Sequence, residues 1–273
     1  MSLMNASRSE ATKQFSTSMW WILAIVLFVY VAFTASALGF VFSASATGAL
    51  PTRGAPISPD GLPATIYSAA TSVGYVFPLL IGTLMVTSEF RHKTLTPTFL
   101  ATPRRGLVLG GKVLVGVLLG VLYALIGIVA SVGPGAAFLA GFGFDTGFGS
   151  SDTWALIGRM VISFVLWVLV GIGVGALVRN QVGAIVGVLV FTQFLEPIGR
   201  LAASFVDGLG NVTRFLPGAA GDALVGSSVF GAATASSTST DPLAWWAGGL
   251  VLLGYAVVFL VLGHLLSWRR DVS

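Results

Sequence analysis

The chain contains no cysteine and only two histidines among its 273 residues. Without thiols there is no disulfide frame, no cysteine nucleophile and no thiolate metal site. His264 has no second histidine or acid at ligand spacing on its helix, so it does not read as a metal ligand. No Ser/His/Asp arrangement or carboxylate pair stands out, and no catalytic residue is assigned. Charge is scarce too: Asp, Glu, Lys and Arg make up 9% of the chain, against about 25% in a soluble domain. So few charges cannot hold a large folded surface in water. The sequence pI of 9.8 reflects a shortage of acids, not a nucleic-acid patch. The basic residues are scattered, with no stripe interleaved with exposed aromatics, and nucleic acid is excluded as a partner. A cleavable signal peptide is not expected, because "MSLMNASRSEATKQFSTSMWW" stays polar for too long before its apolar run.

What the chain has instead is long apolar runs. A bilayer core of about 30 Å needs roughly 20 apolar residues per helix. Six segments come near that: 20–42, 65–86, 113–139, 160–178, 182–195 and 245–268. The expected fold class is therefore an all-α integral membrane protein, a single transmembrane domain over 1–273. Glycines at helical spacing recur inside the spans, among them Gly116 and Gly120, Gly171 and Gly175, and Gly183 and Gly187. Small residues four apart let helices pack closely in lipid, which is the reading taken here over any ligand role. Pro78 marks a hinge or a static kink in the second span.

Basic residues in short loops set orientation. With both termini inside, the cytoplasmic side carries Arg8, Lys13, Arg91, Lys93, Arg104, Arg105, Lys112, Arg179, Arg269 and Arg270. The outer side keeps Arg53, Arg159, Arg200 and Arg214, and most of the acids. Arg159, at the outer end of the fourth span, reads as a snorkelling interface residue rather than a substrate contact.

The longest inner connection is 87–112, "TSEFRHKTLTPTFLATPRRGLVLGGK". Its end, G-x-x-x-x-G-K, is close to a phosphate-binding loop, but Val113 stands where the motif needs a Mg²⁺-binding hydroxyl. The chain is not expected to bind ATP itself. Ser88 can cap a short helix here, with Glu89 at its positive N-terminal end. A basic loop can be a mere topology and lipid anchor. That leaves the capped helix, Pro97 and Pro103 without a reason.

This segment resembles the loop after the second span in the membrane subunits of type-2 ABC exporters, the class that moves drugs, lipids and polymers. Glu89, Phe90, Arg91, Thr94, Leu95, Pro103, Arg104 and Lys112 match the pattern of that family. Many members have glycine where Lys93 stands, and Pro97 is not typical. "SEATKQFSTSMWW" resembles the family's amphipathic interface helix (1–19), "NVTRFLPGAAGDAL" its outer segment and "SWRRDVS" its tail. The resemblance covers nearly the whole chain. It implies a cytoplasmic coupling helix at Glu89 to Thr94, with Lys93, Leu95, Arg104 and Arg105 beside it, docking a separate ATPase subunit. Two ATPase copies, carrying the ATP and Mg, would drive two permease copies, most simply a homodimer. The chain itself would hold no cofactor or metal and would not be an enzyme. It would sit in a bacterial plasma membrane and export a hydrophobic or amphipathic compound, such as a drug, antibiotic, peptide or lipid. The alternatives are a non-transporting module that recruits or regulates an ATPase, and an ion-coupled secondary transporter, which needs acids or histidines buried in its spans.

The outer stretch 196–244 is expected to be a re-entrant or interfacial helical segment. Its start, Glu196-Pro197, admits two readings. In one, the fifth helix breaks there and Glu196, Pro197 and Arg200 form an outer gate. In the other, Glu196 and Arg200 are a surface ion pair at spacing four.

Overall fold

Where no water can reach the backbone, each N–H and C=O must find its partner within the protein, and for a single chain of apolar runs the helix does this. The computed structural model describes residues 2–50, 61–94, 98, 105–203, 205–206, 208–234 and 242–268. Among them there is no strand. The order is α1 (Leu3–Phe15), α2 (Met19–Ala46), α3 (Leu62–Tyr67), α4 (Ala69–Ser72), α5 (Val76–Arg91), α6 (Arg105–Gly141) and α7 (Ser151–Leu177). Then follow α8 (Gln181–Val190), a π-helical turn Phe191–Leu195, α9 (Glu196–Ala202), α10 (Gly210–Thr213), α11 (Pro217–Val225), α12 (Val229–Thr234) and α13 (Trp245–Leu262), which ends in a second π-turn, Gly263–Trp268.

Six helical spans are long and apolar enough to cross a membrane: α2, α3 to α5, α6, α7, α8 to α9, and α13. The chain is an all-α multi-pass membrane protein. The spans run past the bounds read from hydropathy, for example Arg105–Gly141 rather than 113–139, Ser151–Leu177 rather than 160–178 and Gln181–Ala202 rather than 182–195. Hydropathy registers only the lipid-facing length, whereas a helix continues until a cap or breaker ends it. The start of α7 is such a case: the Ser150 hydroxyl accepts the Asp152 N–H at 3.1 Å, and Asp152 lies in the positive first turn.

The second and fourth spans form the centre. Their most apolar windows are 89% and 67% buried, against 22% and 17% for the fifth and sixth. Glycine makes this central crossing possible. A Cβ on Gly82 would strike the Val168 carbonyl, and one on Gly171 would strike the Leu79 carbonyl. A Cβ on Gly175 would lie 2.6 Å from the Thr83 carbonyl oxygen. The helices α5 and α7 therefore meet backbone to backbone, as small residues allow in lipid.

The irregularity that Pro78 marks lies upstream of the proline itself. Pro78 stands in the first turn of α5, where its missing N–H costs nothing. The helix is interrupted instead at residues 73–75. Four residues before Pro78 is Gly74, whose carbonyl the proline ring would crowd in an unbroken helix. Here that carbonyl accepts the Phe77 N–H at 3.1 Å. The proline acts one turn upstream of its own position.

Between the fifth and sixth spans the chain does not stay at the surface. Short α11 is buried, packed against α7 and α13, and a Cβ on Gly248 of α13 would meet the Ala220 carbonyl at 2.5 Å.

Candidate functional site

Two polar clusters lie at opposite ends of the bundle. The first joins α1, the end of α5 and the start of α6. Lys13 Nζ lies 2.9 Å from Glu10 Oε1 and 3.0 Å from Glu89 Oε1. Lys112 Nζ lies 2.6 Å from Glu10 Oε2 and 2.9 Å from Glu89 Oε2. The four charges alternate around a closed ring and sum to zero. Glu10, Glu89 and Lys112 are buried, Lys112 completely, while the Lys13 side chain stays 39% exposed. Burial opposes the Lys13 charge, but Glu89 and Glu10 outweigh it and hold the ammonium above its ordinary pKa of 10.5. Lys112 also donates to the Met85 carbonyl at 3.4 Å, and Lys13 to the Thr98 hydroxyl at 3.2 Å.

The backbone allows this ring to form. Gly111 faces α1, and a Cβ there would sit 3.2 Å from the Ala6 carbonyl carbon and the Ser7 nitrogen. The near-phosphate-loop stretch thus has a structural role. Its glycine lets α1 approach, and its lysine reaches between two carboxylates.

Glu89 is not at the start of a separate helix, as the sequence suggested. Glu89, Phe90 and Arg91 are the last turn of α5, Ser88 is inside the helix, and residues 92–94 close it. Thr94 N–H donates to the Glu89 carbonyl at 3.1 Å and Lys93 N–H to the Phe90 carbonyl at 3.3 Å. This is the paired bonding of a Schellman cap. A helix C-terminus is the unfavourable end for a carboxylate. The two lysines compensate. Nor is Glu89 in free water: it is buried among its two lysine partners. Arg91, Lys93 and Thr94 are exposed, and Arg91 donates to the Gln181 side chain at 3.4 Å. Phe90 packs half-buried against the core, Arg105 opens α6, and Leu95 and Arg104 lie outside the described residues.

Lys93 has φ +55°, the left-handed region in which a Cβ is strained. Glycine is the ordinary residue at that cap position. Lys93→Gly should therefore raise stability by about 1 kcal/mol, read as a higher melting midpoint in detergent. An unchanged or lower midpoint would show that the lysine side chain compensates for the strain.

The second cluster surrounds Glu196. The predicted break at Glu196-Pro197 is a π-turn instead, so the helix continues to Ala202. Glu196 N–H donates to the Phe191 carbonyl, five residues back. Pro197 has no N–H for the next carbonyl, that of Thr192. The Tyr75 hydroxyl donates to it instead, at 3.1 Å, and the Tyr75 ring packs on Trp167 with centroids 4.6 Å apart. A π-turn of this kind relieves the clash a proline brings into a helix.

Glu196 does not pair with Arg200. It is 2% exposed, and its Oε1 accepts the Ala219 N–H at 2.9 Å, at the start of α11. A carboxylate suits a helix N-terminus, where free N–H groups point outward. Gly218 leaves room for it, since a Cβ there would fall 2.5 Å from Oε1. Arg200 turns to Asp222 Oδ2 at 2.8 Å, and the Ser228 hydroxyl donates to the same oxygen at 2.7 Å. Glu196, Pro197 and Arg200 do fall in one cluster, but through partners that sequence reasoning missed: Tyr75, Ala219 and Asp222.

The roles of Glu196 separate on mutation. Glu196→Gln keeps an oxygen for the Ala219 N–H and should change the melting midpoint little. Glu196→Leu leaves that donor bare and should cost about 1–3 kcal/mol. Equal midpoints for the two variants would remove the cap role.

Among the described residues, no three metal-ligating side chains come together. In comparisons with known proteins, no family model and no curated protein matches the chain.

Proposed function

We propose that the chain is the membrane subunit of an ATP-driven exporter of the type-2 ABC class, working as a pair with a separate ATPase. The observation that carries this reading is the charged ring. The acid that opens the family-like segment and the lysine that closes it, Glu89 and Lys112, lie 2.9 Å apart. A loop that served only to set topology needs charge, not a buried contact between its two ends. Here the ends are tied to each other and to α1, so a push on the loop between them is delivered to α5 and α6 together. Through α5 it reaches the centre of the bundle, where α5 and α7 meet backbone to backbone at Gly82, Gly171 and Gly175.

In this reading Arg91 and Lys93 are the docking charges, because they are exposed, whereas Glu89 positions α1 and α6. Both termini are cytoplasmic, in a bacterial plasma membrane. The weakly buried fifth and sixth spans leave apolar faces for lipid and for a second copy. One observation favours an ion-coupled carrier instead: Glu196 is buried in a span and its Oε2 has no hydrogen-bond partner among the described residues.

The test is co-expression with an ABC ATPase of the same source and reconstitution into liposomes. ATP hydrolysis should rise with a hydrophobic or amphipathic substrate, and Arg91→Gln should weaken ATPase capture with little change in the melting midpoint. Transport that ignores ATP and collapses with a protonophore would transfer the proposal to the carrier. ATPase capture without transport of any tested compound would leave only a recruiting module.

A further inference from the structure

At the end of the bundle away from the charged ring lies a cavity of about 730 Å³. Among the described residues its charged lining is three guanidiniums, Arg159, Arg200 and Arg214, against one carboxylate, Asp222. That carboxylate is already engaged, by Arg200 at 2.8 Å and Ser228 at 2.7 Å. Arg159 and Arg214 form no ion pair with a described residue. The Arg159 Nε donates to the Ala155 carbonyl one turn back, at 3.2 Å, and its guanidinium stands 5.8 Å over the Trp245 ring. The Arg214 Nε is buried with no hydrogen-bond partner among the described residues, and the guanidinium stands 5.2 Å from the centroid of the Phe215 ring. A buried donor on a permanent cation is costly to leave bare. Arg159 and Arg214 thus bring to one cavity two cations that no described carboxylate neutralises, and an oxyanion between them would balance both.

We propose that this cavity binds the oxyanion head group of an amphiphile, held between Arg159 and Arg214. Guanidinium forks match the oxygens of a phosphate in pairs, which a single ammonium cannot do. Ser227 and Thr213 in the lining add hydroxyls for a polar head. The volume falls in the range of small-molecule sites, roughly 300–1,000 Å³, and a bare phosphate would leave most of it empty. Around the cavity, Phe205, Val212, Phe215, Trp245 and Trp246 are exposed and apolar. That surround suits the acyl or other apolar part of the molecule, with tryptophan at the polar boundary. A snorkelling role for Arg159 alone would account for one cation at the interface. It does not account for the second, Arg214, which lines the same cavity. Binding here does not require the chain to be a transporter, so it can succeed or fail independently of the ATPase experiment.

The oxyanion could come from a lipid or from solution, and native mass spectrometry in a neutral detergent separates the two. The probes are phosphatidylglycerol, phosphatidylcholine and inorganic phosphate. The wild-type chain should retain phosphatidylglycerol at least about tenfold better than phosphatidylcholine. Arg159→Gln with Arg214→Gln should abolish that preference, Arg159→Lys with Arg214→Lys should keep part of it, and Arg8→Gln, on α1 at the other end, should leave it intact. Each single Gln variant should show a smaller loss, which keeps the comparison available if the double variant does not fold. Displacement of the lipid by millimolar phosphate would assign recognition to the oxyanion alone. Failure to displace it would assign recognition to the whole head group with its tails. The proposal is overturned if the wild type retains both lipids equally, or if the Gln variants hold phosphatidylglycerol as the wild type does.

Discussion

Lys112→Ala should destabilise this protein more than any other single charge change. It leaves Glu10 and Glu89, 3% and 6% exposed, with only the half-exposed Lys13 between them. Removing one partner of a buried ion pair costs about 3–5 kcal/mol, because the remaining charge stays desolvated. The expected readout is a large fall in melting midpoint in detergent and release of α1, seen as new protease cleavage near Phe15. The loss belongs to the unpaired acid and not to the missing lysine as such. Lys112→Met combined with Glu89→Gln should therefore recover most of it, leaving Glu10 and Lys13 as a neutral pair at 2.9 Å. If Lys112→Ala melts within about 1 kcal/mol of the wild type, the ring is open to water and does not tie α1 to the bundle.

Gly171→Val should have a comparable effect by a different route. The α5 and α7 backbones meet at Gly82, Gly171 and Gly175, and the Gly171 face is closed by the Leu79 carbonyl and the Thr83 nitrogen. These are backbone atoms inside a helix, so no rotamer change can make room. Overpacking a core costs about 1–3 kcal/mol where side chains can shift, and more where they cannot. The variant should lose its monodisperse peak on size exclusion. Gly187→Val is the control: a Cβ at Gly187 meets nothing, and that variant should behave as the wild type. Equal behaviour of the two variants would mean that the central crossing is looser than the structure describes.

The glycine spacing that marks this crossing was legible in the sequence, but its partner was not. Gly171 and Gly175 announce a small-residue face. Nothing in that spacing says that the face meets α5 at Gly82. The charged ring was less legible still. Glu10 and Lys13 stand three apart on one helix, which reads as a surface pair. Their burial depends on Glu89 and Lys112, which folding brings in from elsewhere in the chain. The Pro78 and Glu196-Pro197 signals were both seen, but neither said what form the helix would take there. A proline shows that a hydrogen bond is missing, but the neighbours decide how the helix answers. At Pro78 the answer is an interruption one turn upstream. At Pro197 it is a π-turn, because Tyr75 is there to serve the freed Thr192 carbonyl.

By itself, then, the sequence determined the class, the number of spans and their order. Those depend on apolar length and on the need of each backbone group for a partner inside lipid, which are local quantities. The tertiary structure alone decided which charges are buried and with whom. It made Glu89 part of a buried charged ring at the end of α5 rather than the start of a separate helix, and Glu196 a cap for α11 rather than a partner of Arg200. It also set Arg159 and Arg214 around one cavity. The state of a charge in a low-dielectric interior is fixed by the few groups within about 4 Å of it, and those groups come from distant parts of the chain.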